Sequence, residues 1–248
     1  MVKGLDTFQK YFADYEEQYV LIGGAACDIL FESNEVNFRA TRDLDMVLIV
    51  EALTPEFGEK FWKFIVDGKY RNKATNGSNP QFYRFDKPED DNFPKMIELF
   101  CRSDFKLKDA KGITPIHIDD EVSSLSAILL NDDYYKALLN GKEVRKGLSV
   151  LRPEYIILFK AKAYLDLKRQ KDLGEKVDSS DIKKHKKDVL RIASELMLEK
   201  VEKLPIAVDA DIHSFIDLLE QEPFDQHSLK RYGLKNEDVV EVLKQVFG

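Results

Sequence analysis

The sequence predicts an α+β fold, in which a mixed sheet flanked by helices is followed by a C-terminal helical domain. Up to about residue 150, short apolar runs typical of strands alternate with amphipathic helical patterns. After that point, two long helical patterns at 153–170 and 181–201 follow one another with only a polar connector between them. We therefore expect two domains, 1–150 and 151–248.

The elements of the first domain are predicted from local patterns. Thr54 and Pro55 are typical of a helix start, and Gly68 is typical of a helix end. Trp62 and the neighbouring phenylalanines have the spacing of a helix packed on a sheet, so we interpret them as core. The predicted helices are 5–17, 25–32, 55–67 and 123–141, and the predicted strands are 19–22, 43–50, 81–85, 95–101 and 112–119.

The second domain is predicted to be entirely helical. Pro153 opens its first long helix, and a polar connector separates that helix from the second one. Shorter helical patterns follow at 210–220 and 236–247. We interpret the part after residue 205 as a small helical cap without a chemical signal.

Composition and charge limit the class of protein. The chain has 248 residues, of which 44% are hydrophobic and 33% charged, as expected for a soluble globular protein. Its apolar runs are too short to span a membrane, and its N-terminus lacks the apolar segment of a secretory signal. Cys27 and Cys101 lie in apolar stretches and are typical of buried thiols in a reducing compartment. A single disulfide between them is the alternative that the sequence leaves open. We expect a cytoplasmic protein with no membrane partner.

The charge distribution gives two opposing indications about nucleic acid. The net charge of −7 argues against a dedicated nucleic-acid-binding protein. The segment 181–191, DIKKHKKDVLR, nevertheless carries a dense positive cluster. This cluster is either a solvated helix face or a surface for a polyanion such as tRNA.

Two aspartates stand at the start of the strand 43–50. Residues two apart on a strand point to the same face, so the carboxylates of Asp43 and Asp45 lie about 7 Å apart on one side. Such a pair is either a solvated strand end or a site for a hard divalent cation, since nearby like charges repel unless a cation lies between them. The spacing suits a metal site better than a salt bridge.

Two further features extend this pattern. Gly23 and Gly24 lie between a strand and a helix, where they form either a tight turn or a place for close approach to a phosphate. Glu98 stands inside the apolar strand 95–101. If that strand lies beside the strand 43–50, Glu98 completes a three-carboxylate cluster with Asp43 and Asp45. Otherwise Glu98 faces solvent or pairs with an arginine.

These motifs together resemble a known family. The pattern GGAACDIL…FRATRDLDMVLIV…KMIELF is similar to that of the nucleotidyltransferase superfamily that includes DNA polymerase beta. The form GG-x-A followed by R-x-T-x-D-L-D is similar to the AbiEii-type nucleotidyltransferases, the toxins of type IV toxin–antitoxin systems. The match covers roughly residues 19–50, with weaker support at 95–100 and 150–195. The resemblance implies a nucleotidyltransferase-like mixed sheet.

The resemblance also implies roles for residues of the first domain. An NTP would be the substrate, and two Mg²⁺ or Mn²⁺ ions the cofactors. Where many members have a serine or threonine beside the glycine pair, this chain has Ala25, so that contact to phosphate either comes from the backbone or is absent. Implied as metal ligands and catalytic residues are Asp43, Asp45 and Glu98; implied as phosphate- or nucleotide-binding are Gly23, Gly24, Arg39 and Thr41.

In the second domain, the candidates are lysines in an apolar helix and an aspartate further on. Lys160 and Lys162 either extend toward solvent or reach an anionic site. The resemblance implies that Lys160 is catalytic and binds the triphosphate, with Lys162 as the alternative lysine. It also implies that Asp188, which matches the second aspartate of the family pattern, belongs to the nucleotide site. His185 replaces a family aspartate and is either a base or a surface residue, and we expect the surface residue.

The function predicted from these features is metal-dependent transfer of NMP from an NTP to an acceptor. By resemblance, the acceptor is tRNA or another RNA, and the protein acts like a toxin with a cognate antitoxin protein. One alternative is an adenylyltransferase with a small acceptor, of the antibiotic-modifying type. The other is a non-catalytic nucleotide-binding module on a degenerate transferase fold, which Ala25 and His185 would favour.

Overall fold

The computed structural model describes residues 2–32, 43–72, 82–101, 128 and 131–248. The predicted strand 112–119 lies outside these residues. The chain forms two compact units. The first comprises Met1–Asp119 and Lys142–Leu151, and the second comprises Asp120–Gly141 and Arg152–Gly248.

The first unit is built on a mixed seven-stranded sheet. The strand order is β3-β4-β5-β2-β1-β7-β6. The pairs β2/β5 and β1/β7 are parallel, and the other neighbouring pairs are antiparallel. The α+β class with a mixed sheet and flanking helices is therefore confirmed. The strands are β1 Tyr19–Ile22, β2 Asp43–Leu48, β3 Arg71–Asn72, β4 Phe82–Asp86, β5 Met96–Cys101, β6 Lys142–Arg145 and β7 Leu148–Leu151.

Helices α1 Leu5–Phe12, α2 Gly23–Glu32 and α3 Pro55–Asp67 belong to the same unit. The boundaries predicted for α3 are confirmed, since the Thr54 hydroxyl accepts a hydrogen bond from the Phe57 backbone N–H at 3.3 Å and Gly68 ends the helix. Helix α1 is shorter than predicted, because the chain turns into a 3₁₀ helix at Glu16–Gln18 before β1.

Aromatic side chains from α1 and α3 cover one face of the sheet. The Phe12 and Phe64 ring centroids are 5.4 Å apart, and Phe8 meets Tyr19 of β1 at 5.5 Å. On the same face but nearer the other edge of the sheet, the ring centroids of Phe61 and Phe85 of β4 are 5.6 Å apart. The core role predicted for the aromatic residues of α3 is confirmed, because Phe57, Phe61 and Phe64 are fully buried and Trp62 contacts Phe61 and Phe85.

The hairpin formed by β6 and β7 was not predicted from the sequence. Only β7 is apolar, and it pairs in parallel with β1 through Leu21 and Val150. Strand β6 is a charged, partly exposed edge strand. Lys146 and Gly147 join the two strands with φ values of 51° and 68°, the backbone required by a type I′ turn.

The second unit is helical in its described part. The two long helices predicted from the sequence are present, and Asp178 accepts a hydrogen bond from the Ser180 backbone N–H at the start of the second. The short helix α8 was missed; Asp225 caps it, and Gly233 ends it with a φ of 67°. The helices are α4 Asp132–Asn140, α5 Pro153–Asp172, α6 Ser179–Glu195, α7 Ile206–Gln221, α8 Gln226–Tyr232 and α9 Asn236–Phe247.

Two expectations concern membranes and cysteines. Among the described helices, none combines the length and the apolar character needed to cross a membrane. Cys27 is buried in α2, as predicted. The side chain of Cys101 lies outside the described residues.

The aromatic layer gives a test of stability in the first unit. We expect Phe64→Ala to lower the free energy of unfolding by about 3–5 kcal/mol, because it leaves a cavity beneath α3. Val66→Ala on the same helix is the matched control, since Val66 is 69% exposed, and should change it by less than about 0.5 kcal/mol. Urea unfolding followed by Trp62 fluorescence reports on this unit. Equal losses in both variants would contradict the packing described.

Candidate functional site

A row of charged side chains crosses the middle of the sheet in the first unit. Asp45 of β2 lies directly opposite Glu98 of β5, and Glu98 lies directly opposite Arg84 of β4. Residues opposite one another on neighbouring strands, about 4.8 Å apart, point to the same face. The aromatic layer contacts Phe85, the neighbour of Arg84, so this row stands on the sheet face opposite the aromatic residues.

Asp43 joins this row from the same strand. It lies two residues before Asp45 and therefore on the same face. Burial raises the pKa of Glu98; Arg84 opposes this by charge and hydrogen bonding, a hydrogen bond from Asp45 also lowers it, and the charge of Asp43 raises it again. The strand register agrees with the sequence-based condition that the strand 95–101 lies beside the strand 43–50, which puts Asp45 next to Glu98 and Asp43 on the same face.

Arg84 holds Glu98 in place. Its Nε and Nη2 atoms lie 2.9 Å and 2.5 Å from Oε1 of Glu98, which is only 7% exposed. The sequence left open whether Glu98 pairs with an arginine or completes a carboxylate cluster; in the structure it pairs with Arg84 and lies opposite Asp45 on the neighbouring strand. Sequence reasoning missed Arg84; the signal was an arginine at the centre of an alternating strand pattern, 81–85.

Gly23 brings the start of α2 against Asp45. It directly follows Ile22, whose register partner in β2 is Asp45, and its φ of 61° is left-handed. A Cβ atom at Gly23 would lie 2.1 Å from Oδ2 of Asp45. Glycine is therefore required here both for its backbone conformation and for the space that the carboxylate occupies. Gly24 lies in the first turn of the same helix.

The donor set suits a hard divalent cation, but the side chains are not arranged as a finished metal site. Within the described residues, no group of three or more His, Cys, Asp or Glu side chains is placed to hold a metal ion. Oε1 of Glu98 binds Arg84, and a hydrogen bond links Asp45 to Glu98. The fit to a divalent cation therefore rests on the chemistry of the donors, since carboxylate oxygens are the ligands such cations prefer.

The candidates of the second unit form internal ion pairs. Lys160 of α5 lies 3.3 Å from Asp188 of α6, and both side chains are largely buried. Lys162 lies 3.0 Å from Asp166 and 3.3 Å from Asp211. Burial lowers the pKa of Lys162, but these two carboxylates outweigh it and raise the pKa above its usual value. Neither lysine simply extends into solvent.

Two further expectations have different outcomes. The expectation that His185 is a surface residue is wrong, because it is 5% exposed on the buried face of α6, which also carries Asp188. Helical periodicity places both residues on one face, since they are three apart. Arg39 and Thr41 lie outside the described residues.

Comparison with known proteins gives limited results. No family model matches the sequence, and no curated protein matches it. One similar solved structure is the crystal structure of an antigenic nucleotidyltransferase-like protein from Paracoccidioides brasiliensis. It is 14% identical, the similarity covers 97% of this chain and 93% of that chain, and the TM-score is 0.47.

The contact between Gly23 and Asp45 gives a second test. We expect Gly23→Ala to destabilise the first unit by more than about 2 kcal/mol, because left-handed backbone disfavours alanine and the new methyl group displaces Asp45. Gly58→Ala, in the interior of α3 with open space at its Cβ, should instead stabilise by about 0.5–1 kcal/mol. Urea unfolding measures both. Opposite signs are expected, and a stabilising Gly23→Ala would rule out the required close approach.

Proposed function

We propose that this chain is a nucleotidyltransferase that moves NMP from an NTP to an acceptor with the help of Mg²⁺ or Mn²⁺. The observation that carries the proposal is the register of β2 and β5, which sets Asp45 beside Glu98 with Asp43 on the same face. A sequence signature that resembles nucleotidyltransferases supports it independently. The cluster is acidic, partly buried and next to a helix start, as a site for cation-bound phosphates requires.

In this proposal, Asp43, Asp45 and the second carboxylate oxygen of Glu98 hold the cations. Divalent cations bound there would neutralise the triphosphate and the charge that develops during in-line attack at the α-phosphorus. The protein supplies the positions. Arg84 fixes Glu98 through Oε1, so Oε2 is the oxygen that the proposal assigns to the cations.

The start of α2 supplies the complementary contact to phosphate. The first backbone N–H groups of a helix have no partner within the helix and attract anions. Gly23 allows this helix start to lie against Asp45. Phosphate oxygens bridging from the cations to these N–H groups would meet no Cβ at Gly23. This role needs no hydroxyl and is compatible with Ala25, which is buried in α2.

Other parts of the proposal rest on the sequence. Its helix and strand patterns support the two-domain division at residues 150 and 151, and its composition supports a cytoplasmic location. A tRNA or other RNA acceptor and a toxin-like role with an antitoxin partner rest on the sequence resemblance. The same holds for the proposed part of Arg39, Thr41, Lys160, Lys162 and Asp188 in nucleotide binding.

A second candidate function is nucleotide binding without catalysis. The observation in its favour is the Arg84–Glu98 ion pair, which occupies one of the carboxylate oxygens that a two-cation site would use. A binding module would take up NTP and cation but give no transfer. The alternatives therefore differ in turnover and not in affinity.

Transfer of label tests the leading proposal. We expect label from at least one of the four α-labelled NTPs to enter total cellular RNA in the presence of Mg²⁺ or Mn²⁺. The double variant Asp43→Asn/Asp45→Asn should reduce the rate by about 10³-fold or more, because charge stabilisation in the transition state is lost. Asp14→Asn is the control, since Asp14 is exposed on the turn after α1. NTP binding with no transfer to RNA or to small acceptors would favour the binding module.

Cation affinity is tested separately from activity. Titration of Mn²⁺ followed by electron paramagnetic resonance should show binding to the native chain and to Asp14→Asn. Asp43→Asn/Asp45→Asn should weaken it by about 10-fold or more, because two anionic ligands become neutral. Equal affinity in all three proteins would contradict the assignment of the carboxylate cluster as a cation site.

A further inference from the structure

A cleft lined by lysines lies within the second unit, and none of its lining residues belongs to the carboxylate cluster. It has a volume of about 640 Å³ and is bordered by α5, α6 and the chain from Glu222 to Ser228. Its size falls in the usual range of small-molecule sites, roughly 300–1,000 Å³. Five lysines line it: Lys168, Lys171, Lys183, Lys186 and Lys187.

The carboxylates in the lining do not balance these lysines. They are Asp172, Glu222 and Asp225, so the cleft keeps an excess of positive charge in a chain whose net charge is −7. Glu222 is bound to Lys168 at 2.5 Å. Asp225 is engaged as the cap of α8, where it accepts hydrogen bonds from the backbone of His227 and Ser228. Two of the three carboxylates are thus committed to local structure.

Lys186 is held at the inner side of the cleft. Its ammonium group donates to the carbonyl oxygens of Glu222 and Pro223, and it lies 5.6 Å from the Tyr164 ring centre and 5.5 Å from that of Phe224. Burial lowers its pKa, Glu222 opposes this, and the charge of Lys168 lowers it further. A second anion at this position would relieve the repulsion between the two ammonium groups.

Two lysines at the rim are available to a ligand. Lys183 and Lys187 are one turn apart on α6, are exposed, and both line the cleft. The hydroxyl of Ser179, which accepts from Lys171 at 2.5 Å, adds a neutral polar group nearby. Ammonium and hydroxyl groups that line one cleft form the chemical setting that phosphate oxygens require.

We propose that this cleft binds a small polyphosphate anion, such as a nucleoside triphosphate or another phosphorylated metabolite. The limited volume of the cleft and the acidic net charge of the chain favour a compact ligand over a long polyanion such as RNA. The positive charge of the site comes from lysines, so it needs no divalent cation. It is independent of the proposed transferase function, whose residues it does not share.

Calorimetric titration with inorganic tripolyphosphate, in the presence of a chelator, tests the proposal. The full chain carrying Asp43→Asn/Asp45→Asn serves as background, so that failure of the transferase proposal leaves this test unaffected. We expect saturable binding that Lys183→Ala/Lys187→Ala weakens by about 10-fold or more. Lys200→Ala/Lys203→Ala removes the same charge from exposed positions of the same unit outside the cleft, and should leave the affinity nearly unchanged.

The remaining arms of the experiment separate the ligand sources. ATP binding more tightly than tripolyphosphate, with the same lysine dependence, would support the cleft and indicate a nucleotide. Equal weakening by both lysine pairs, or no binding of tripolyphosphate, would overturn the proposal. Single-stranded RNA binding about 10-fold more tightly through Lys183 and Lys187 would also overturn it, because the site would then serve a long polyanion. Thermal unfolding of both double variants checks that the helices remain intact.

Discussion

The parallel pairing of β2 with β5 is the interaction on which the candidate site depends. It sets Asp45 opposite Glu98, while Leu44 and Met46, on the other face, pair with Ile97 and Leu99 in the core. A slip of one residue would turn the carboxylates into the aromatic layer and the leucine outward. Burying unpaired carboxylates costs several kcal/mol, so the hydrophobic layer itself enforces the register that brings the acidic side chains together.

That register brings like charges together, and groups on neighbouring strands reduce the resulting repulsion. Three carboxylates on one sheet face repel one another, and burial adds to the cost at Glu98. Arg84 of β4 stabilises the charged form of Glu98 by its own charge and by hydrogen bonds, and a hydrogen bond with Asp45 stabilises it further. A binding site can tolerate this cost when its ligand carries the missing positive charge. The helix start at Gly23, which faces Asp45, favours a ligand that also carries negative charge.

The sequence predicted the features that local chemistry determines and missed those that depend on distant partners. The limits of α3 follow from Thr54, Pro55 and Gly68, and the shared face of Asp43 and Asp45 follows from strand geometry. The partner of Glu98 depended on which strand lies beside β5, which no local pattern reveals. Burial of His185 likewise depends on how α6 packs with α5. Lysines surround His185 in the sequence, so the charge pattern alone does not show which face of the helix is buried.

The two proposed sites handle the same kind of anion by opposite electrostatic means. The carboxylate cluster attracts phosphate only after cations reverse its charge, so its affinity for a nucleotide must rise with divalent cation and vanish with a chelator. The lysine cleft attracts phosphate directly, and a divalent cation bound to the nucleotide competes with its lysines for the same oxygens. Free nucleotide therefore suits the cleft, and the cation complex suits the cluster. A chain with both sites can distinguish the two forms of one molecule by charge alone.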